Sequence, residues 1–170
     1  LMGDFEPSAK SYKFLTNNKV DLKELNYKPY PFLLANTFEK KVLEESINNF
    51  QFEWKWDGIR IQLIKRLGKV SIWTRGQDLV NKSFPELVDN TLFIKDDFVI
   101  DGELLVWNFK EELPMNFSLL QKRINRKNPS KAIQNNLPII FIAYDLIELK
   151  GEDKREVHLE NRRIYLEDNF

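Results

Sequence analysis

The chain has 170 residues, of which 42% are hydrophobic and 13% aromatic, and this composition predicts one globular α+β domain with a sizeable core. Its 26 basic and 26 acidic side chains balance, which excludes an overall positive field and leaves only local charged patches. The absence of cysteine and the single histidine exclude disulfides, thiol nucleophiles and multi-histidine metal sites. We find no apolar run long enough to span a bilayer and no signal-peptide core, so we expect no membrane partner and a cytoplasmic location.

The first part of the chain predicts little regular structure. Residues 1–30 are polar and end in K-P-Y-P, which is typical of an extended linker from an upstream domain. The domain itself is then expected to span residues 31–170. The run F-L-L-A-N at 32–36 predicts a short buried strand or edge strand, and residues 39–49 predict a short amphipathic helix.

The stretch F-E-W-K-W-D-G-I-R-I-Q-L-I at 52–64 alternates polar and apolar residues, and the alternation reverses at Gly58. This pattern predicts two strands joined by an Asp-Gly turn, with Lys55 and Arg60 on the same side. A lysine among aromatic rings and near an arginine loses part of its preference for the protonated state, so Lys55 is a candidate nucleophile. A solvated lysine on a half-buried strand is the simpler interpretation of this residue alone.

The rest of the chain alternates predicted strands and helices. The strands are predicted at 70–74, 98–107 and 139–147, and the helices at 83–93, at 116–127 and from 158 onward. The helix at 83–93 should begin with a capping box made by Ser83 and Glu86. The strand at 139–147 is apolar on both faces, which predicts a central strand that is covered on both sides.

Two carboxylates, Asp101 and Glu103, share one face of the strand predicted at 98–107. Burying both of them without partners would cost too much free energy, so they must face solvent, a cation or a ligand hydroxyl. A surface salt bridge is the simpler interpretation.

These motifs together resemble those of a known enzyme family. K-W-D-G-I-R at 55–60 resembles the K-x-D-G-x-R signature of the covalent nucleotidyltransferases, which comprise ATP-dependent DNA ligases, RNA ligases and mRNA-capping enzymes. The family's later motifs match I-D-G-E at Glu103, T-R-G at Arg75 and Y-D at Tyr144. The blocks P-Y-P-F-L-L-A, W-T-R-G-Q-D, F-P-E-L, L-Q-K-R-I-N-R-K and Y-D-L-I-E-L-K-G-E-D resemble bacterial ATP-dependent DNA ligases of the multi-domain type.

This resemblance implies an α+β, ATP-grasp-like nucleotidyltransferase adenylation domain with mainly antiparallel sheets flanked by helices. The family's E-G-[VI]-[VM]-x-K and K-x-K motifs do not occur in the 170 residues, and neither does its OB-fold. We therefore expect residues 31–170 to be a partial adenylation domain that is incomplete at its C-terminal end, and we expect it to be inactive or impaired when isolated.

The resemblance also implies a mechanism and a set of roles. Lys55 would attack the α-phosphate of ATP to form lysyl-AMP, and the AMP would pass to the 5′-phosphate of nicked double-stranded DNA before the 3′-hydroxyl seals the nick. The enzyme would use Mg²⁺ or Mn²⁺, act as a monomer, and serve DNA repair, replication and recombination. The nucleotide-binding residues would be Glu53 for the adenine amino group, Arg75 for the ribose, Tyr144 for stacking on adenine, Glu103 for the ribose and the metal, and Arg60.

Two alternatives remain open from the sequence. One is an RNA ligase or a capping-type nucleotidyltransferase, and the other is a non-catalytic module that binds nucleotide or DNA.

The run Q-K-R-I-N-R-K-N-P-S-K at 121–131 has five cations and no acid. Helical spacing places Lys122 four residues from Arg126, and Arg123 four residues from Lys127, so we expect these four side chains to point largely outward. Like charges at this spacing repel, which favours an external anion such as a DNA phosphate backbone. A solvated basic face balanced by acids from other elements is the simpler interpretation.

Overall fold

The structure is a computed structural model that describes residues 27–35, 37, 39–44 and 49–170, without the side chains of Lys41 and Leu43. In this part of the chain, six strands form one antiparallel sheet. The strands are β1 (Ile59–Arg66), β2 (Lys69–Thr74), β3 (Phe98–Asn108), β4 (Leu113–Pro114), β5 (Ile139–Leu149) and β6 (Glu152–Asp153).

Three of the four α-helices of the described part pack against the main core on one face of this sheet. The α-helices are α1 (Pro85–Leu92), α2 (Phe117–Ile124), α3 (Lys131–Asn136) and α4 (Leu159–Asn169), and short 3-10 helices lie at Lys40–Glu44 and Asn81–Ser83. None of these helices is long and apolar enough to cross a membrane.

The strand order is β2–β1–β3–β5–β6, so β3 is central and pairs with β1 on one side and β5 on the other. The main core lies between the sheet and the helices, where Leu120 of α2 and Leu166 of α4 pack against the apolar residues of the strands. A smaller apolar cluster on the opposite face packs against Tyr30. The site residues of β1 and β3 are therefore held by a strand pair that runs through the middle of the domain.

The strands predicted at 70–74 and 98–107 are confirmed as β2 and β3. The strand predicted before Gly58 is wrong, because residues 51–57 form no strand and β1 begins at Ile59. Phe52 and Trp54, which were expected to form a buried face, are 76% and 83% exposed. Alternation alone does not make a strand where no neighbouring strand supplies backbone hydrogen bonds.

The apolar strand predicted at 139–147 is confirmed as β5 and lies between β3 and β6 in the sheet, but the predicted cover on both sides is incomplete. β5 pairs along its length with β3, whereas β6 reaches only Glu148 and Leu149. The residues from Ile139 to Tyr144 are only half-buried. The apolar residues of β5 have two kinds of surroundings. One part of the strand is covered by α4 and the core, and another part borders an open cleft.

The predicted helices are confirmed with three differences. The helix predicted at 116–127 ends at Ile124. The capping box is wrong, because α1 is capped at Phe84 without a side-chain hydrogen bond, and the Ser83 hydroxyl donates instead to the Ile124 carbonyl at 2.7 Å. At 39–49 the described residues form only the short 3-10 helix, and 45–48 lie outside the described residues.

Residues 27–35 cross the sheet as an irregular segment, so the strand predicted at 32–36 is wrong over its described residues. Side chains of the sheet take the backbone hydrogen bonds that a strand partner would take. The Tyr30 amide donates to Gln62 Oε1 at 2.8 Å, and Gln62 Nε2 donates back to the Tyr30 carbonyl at 3.0 Å. The boundary predicted between residues 30 and 31 stays a prediction, and most of the predicted linker lies outside the described residues.

Candidate active site

Arg60 lies where β1, β3 and the segment at 27–35 meet. Its Nη2 atom donates to Asp101 Oδ2 at 2.7 Å and to the Leu33 carbonyl at 2.7 Å. Its guanidinium lies 5.2 Å from the centre of the Phe32 ring and 5.7 Å from the centre of the Tyr144 ring. The side chain is therefore held on several sides, although 21% of it is exposed.

Asp101 is completely buried beside Arg60. Burial raises the pKa of Asp101 to about 6, although the hydrogen bond and the charge of Arg60 lower the pKa. Asp101 Oδ1 and Arg60 Nε are buried and have no hydrogen-bond partner among the described residues. The pair therefore satisfies only part of its buried hydrogen-bonding capacity within the described part of the chain.

Glu103 brings the lysine motif and Arg60 together. It pairs with Arg60 in the β1–β3 register, and Gly58 donates a backbone hydrogen bond to its carboxylate. Burial raises the pKa of Glu103, and the nearby charges of Arg60 and Lys55 lower it. The structure therefore gathers Lys55, Arg60 and Glu103 at one end of the β1–β3 pair.

Gly58 is required by close packing rather than by a turn. A Cβ atom at this position would lie 2.4 Å from the Leu104 carbonyl oxygen and 2.8 Å from Glu103 Cγ. The bare backbone lets the lysine motif approach β3 closely. Lys55 itself is exposed. Its neighbour Trp56 packs edge-on against Trp107 of β3, with 6.3 Å between the centres of the two rings.

Tyr144 faces the same group of charges from β5. The ring is half-buried, and burial raises the pKa of the hydroxyl above its ordinary value. The charges of Arg60, Asp101, Glu103 and Glu53 also act on it. The aromatic residue predicted for adenine stacking therefore lies close to Arg60, Glu103 and Glu53.

Glu53 and Tyr144 also line an open cleft of about 1240 Å³ between the segment at 49–56, β5 and α4. Trp54 and Trp56 lie on one wall, and α4 contributes Arg163 on the other. The lining does not include Lys55, Arg60, Arg75 or Glu103. The cleft therefore adjoins the charged group instead of enclosing it.

Arg75 lies in the turn after β2, and its side chain is exposed. Its backbone amide donates to the Arg60 carbonyl at 3.1 Å. The turn is thus tied to the strand that carries Arg60.

The basic residues of the run at 121–131 do not behave alike. Lys122, Arg126 and Lys127 are exposed, but Arg123 is completely buried, so its predicted outward orientation is wrong. Arg123 forms an ion pair with Glu86 of α1. Burial lowers the pKa of Arg123, and the charge of Glu86 raises it.

The position of Arg123 has a simple physical cause. Arg123 is three residues after Leu120, so the two side chains share a helix face, and Leu120 is in the core. The helix also ends at Ile124, so Arg126 and Lys127 lie beyond it. The expected helical spacing of four residues between Lys122 and Arg126, and between Arg123 and Lys127, therefore does not apply.

A further pair near the site could not be identified from sequence motifs. Arg162 of α4 donates to both carboxylate oxygens of Asp145, at 2.7 Å and 3.0 Å. The sequence signal was a carboxylate in an otherwise apolar strand, which must find a partner when buried. Nothing in the sequence indicated that Arg162 is this partner.

The sequence model of the ATP-dependent DNA ligase domain family matches residues 32–170 of this chain. A probable DNA ligase of Koribacter versatilis is 35% identical over 147 residues, which cover 85% of this chain and 25% of that protein. A probable DNA ligase of Opitutus terrae is 38% identical over 116 residues, which cover 68% of this chain and 11% of that protein. The chain thus spans about a quarter or less of the length of these relatives.

Solved structures agree with the sequence comparison. The ligase domain of M. tuberculosis LigD has a TM-score of 0.55 and 26% identity, and the match covers 68% of this chain and 35% of that chain. A mycobacterial DNA ligase D complexed with ATP and MES has a TM-score of 0.52 at the same identity and coverage. The expected α+β fold, an antiparallel sheet flanked by helices, is confirmed. This chain belongs to the ATP-dependent DNA ligase domain family.

Proposed function

We propose that the protein is an ATP-dependent DNA ligase in which Lys55 becomes covalently adenylated. The observation that carries this proposal is the meeting of Lys55, Arg60 and Glu103 at one end of the β1–β3 pair, with Tyr144 beside them. A lysine nucleophile needs a cation to hold the phosphates and an aromatic ring to hold the base, and this group supplies both.

The first step joins Lys55 to AMP. The neutral Nζ atom attacks the α-phosphorus of ATP, the bond to the β-phosphate breaks, and pyrophosphate leaves. The lysine loses a proton, and a phosphoramidate remains. Arg60 is held against Asp101 and lies near Glu103, as Lys55 does, so its guanidinium can offset developing phosphate charge.

Nucleotide recognition is assigned to residues of the cleft and of the turn after β2. Tyr144 stacks on adenine, and Glu53 accepts a hydrogen bond from the adenine amino group. Arg75 contacts the ribose from the turn after β2. The proximity of Glu53 to Tyr144, seen in the effect of its charge on the tyrosine, supports a common base pocket.

Glu103 is the residue that fits a divalent cation such as Mg²⁺ or Mn²⁺. Its carboxylate is half-buried, and burial raises its pKa, so a nearby cation would stabilise the ionised form. No cluster of three or more His, Cys, Asp or Glu side chains that could hold a metal occurs in the described part. This agrees with Mg²⁺, which binds through one or two carboxylates plus substrate phosphates and water. The cation would offset charge on the phosphates during transfer.

In the later steps the AMP passes to the 5′-phosphate of a nick in double-stranded DNA, and the 3′-hydroxyl then displaces AMP. Lys122, Arg126 and Lys127 supply an exposed basic surface, called here the α2 basic surface, that suits a phosphate backbone. Arg123 is not part of this surface, because it is buried against Glu86.

Mass spectrometry of the full-length protein after incubation with ATP and Mg²⁺ tests the proposal. We expect the mass of one AMP on the peptide that contains Lys55. Lys55→Ala should abolish the adduct and keep the melting temperature, because the side chain is exposed. Lys110→Ala, at another exposed lysine, is the matched control.

Two outcomes would contradict parts of the proposal. Nucleotide binding without an adduct would indicate a non-catalytic binding module. Adenylation with sealing of nicked RNA in preference to nicked DNA would indicate an RNA ligase.

A further inference from the structure

The ladder between β3 and β5 skips Tyr144. Asp101 pairs with Asp145, whereas the next pair joins Gly102 to Ala143, so Tyr144 is an extra residue on β5. An extra residue of this kind bends the strand and changes the direction of its side chain. The direction of the Tyr144 ring therefore depends on what holds the residues beside it.

The bare backbone of Gly102 lies against the residues of β5 just before this bulge. A Cβ atom at Gly102 would lie 2.4 Å from Phe141 Cε2 and 2.5 Å from the Ile142 carbonyl oxygen. Close packing on β3 thus fixes the part of β5 that leads into the bulge. The part that follows the bulge faces α4.

Arg162 holds the bulge from α4. Its Nε and Nη2 atoms donate to the two oxygens of Asp145, and its Nη1 atom donates to the Val157 carbonyl at 2.5 Å. The neighbouring Arg163 contacts the carbonyl of Tyr144 itself at 3.4 Å. A planar fork that engages both oxygens fixes the orientation of a carboxylate as well as its position.

Docking of α4 does not by itself require this pair. Leu166, one turn further along the helix, already packs in the core. Only 9% of the Arg162 side chain and 11% of the Asp145 side chain are exposed. Removing two charges from water costs free energy, and their attraction offsets this cost only when the two groups are well oriented toward each other. The pair lies directly beside the residue whose direction needs to be fixed.

We infer that Arg162 is a positioning residue for Tyr144: through Asp145 it holds the β5 bulge, so that the ring presents its face to the adenine of ATP. The inference rests on the proposed function. It adds a residue from α4 that belongs to none of the matched motifs and that touches no substrate.

The test is a double-mutant cycle in the full-length protein. Arg162→Lys keeps the charge but loses the fork, and it is made both in wild type and in a Tyr144→Leu background. The measurement is the dissociation constant of α,β-methylene-ATP, which cannot be cleaved at the bond that the proposed reaction breaks. If Arg162 acts through Tyr144, Arg162→Lys should weaken binding roughly tenfold in wild type, as expected for a weakened base–aromatic stack, and have little effect in the Tyr144→Leu background.

A second variant separates positioning from folding. Asp145→Leu with Arg162→Met replaces the buried pair by apolar side chains, which often keeps stability. This protein should melt near the wild-type temperature and still bind α,β-methylene-ATP roughly tenfold more weakly. It should also discriminate less against α,β-methylene-GTP, because the base can shift relative to Glu53. Arg155→Lys is the matched control, since Arg155 makes a similar pair with Asp153 at 2.6 Å without contacting the bulge.

Three results overturn the inference. The first is equal weakening by Arg162→Lys in both backgrounds, and the second is wild-type nucleotide binding by the apolar double variant. The third is a wild-type protein that neither binds the analogue nor forms lysyl-AMP. That last result refutes the proposed function and the inference with it, whereas the first two leave the proposed function intact.

Discussion

The guanidinium of Arg60 and the carboxylate of Asp101 lie 2.7 Å apart, with the aspartate completely buried and the arginine partly exposed. The pair joins β1 to β3 at the point where the lysine motif meets the sheet. Burial makes the ionised aspartate costly, and Arg60 offsets only part of this cost, so the pKa of Asp101 rises to about 6. A pH dependence of stability follows from this shift.

The contribution of Asp101 to the free energy of unfolding should fall as pH rises from about 4 to about 6. In this range the folded protein holds a proton on Asp101 that the unfolded chain, with the ordinary pKa of 3.8, has released. The shift corresponds to at most about 3 kcal/mol. Urea unfolding at a series of pH values measures it.

Asp101→Asn should flatten this slope, and the exposed control Asp89→Asn should keep it. Glu103, whose pKa burial also raises, adds to the slope, so Glu103→Gln is measured in parallel. An Asp101→Asn protein with the full wild-type slope would show that this carboxyl does not titrate as described.

Glu103→Gln should slow lysyl-AMP formation on the order of a hundredfold, because the charge that would hold the cation is lost. The shape of the side chain is kept, and the cost of burying a charge is removed, so the melting temperature should not fall. Stopped reactions with ATP and Mg²⁺ give the rate, and Glu111→Gln is the exposed control. A variant that fails to fold would favour a structural role for Glu103.

Reversal of the α2 basic surface by changing Lys122, Arg126 and Lys127 to Glu should weaken binding to nicked DNA. The dependence of log K on log salt should become less steep, by up to roughly 0.9 for each DNA phosphate that the protein no longer neutralises. Titrations at several salt concentrations measure both effects.

Self-adenylation should persist in this variant, because the surface is separate from Lys55. Changing the exposed Lys40, Lys95 and Lys110 to Glu is the control for a general change in net charge, because it reverses the same number of cations. An equal loss of affinity in that control would assign the effect to overall charge and not to the α2 basic surface.

Arg123→Ala should destabilise the fold by about 3–5 kcal/mol, because it leaves Glu86 without its buried partner. Replacing both residues, by Arg123→Met and Glu86→Leu, should recover most of that loss, since Arg123 Nε and Nη1 have no hydrogen-bond partner among the described residues. Denaturant unfolding measures both variants, and Lys122→Ala on the exposed side of α2 should change stability by no more than about 0.5 kcal/mol. Near-equal stability of Arg123→Ala and wild type would contradict the role of this pair.

The order of amino acids along the chain was enough to predict some of the strands and the motifs that match the family. Alternation predicted β2 and β3, and the matched motifs singled out Lys55, Glu103 and Tyr144, of which Glu103 lies on β3 and Tyr144 on β5. The physical reason is that side-chain alternation follows from the pleat of a strand, which is a local property. The same local rule failed at 52–57, where the alternating residues have no neighbouring strand.

Which charges are buried, and what pairs with them, depends on tertiary packing. Arg123 and Glu86 are 37 residues apart, and the basic run around Arg123 indicated exposure. Arg162 and Asp145 are 17 residues apart, and no spacing rule links them. Whether a charge is buried depends on the group that meets it across the fold, because an unpaired buried charge is too costly and a paired one is tolerated. That partner is a property of the packed chain and not of the residues on either side.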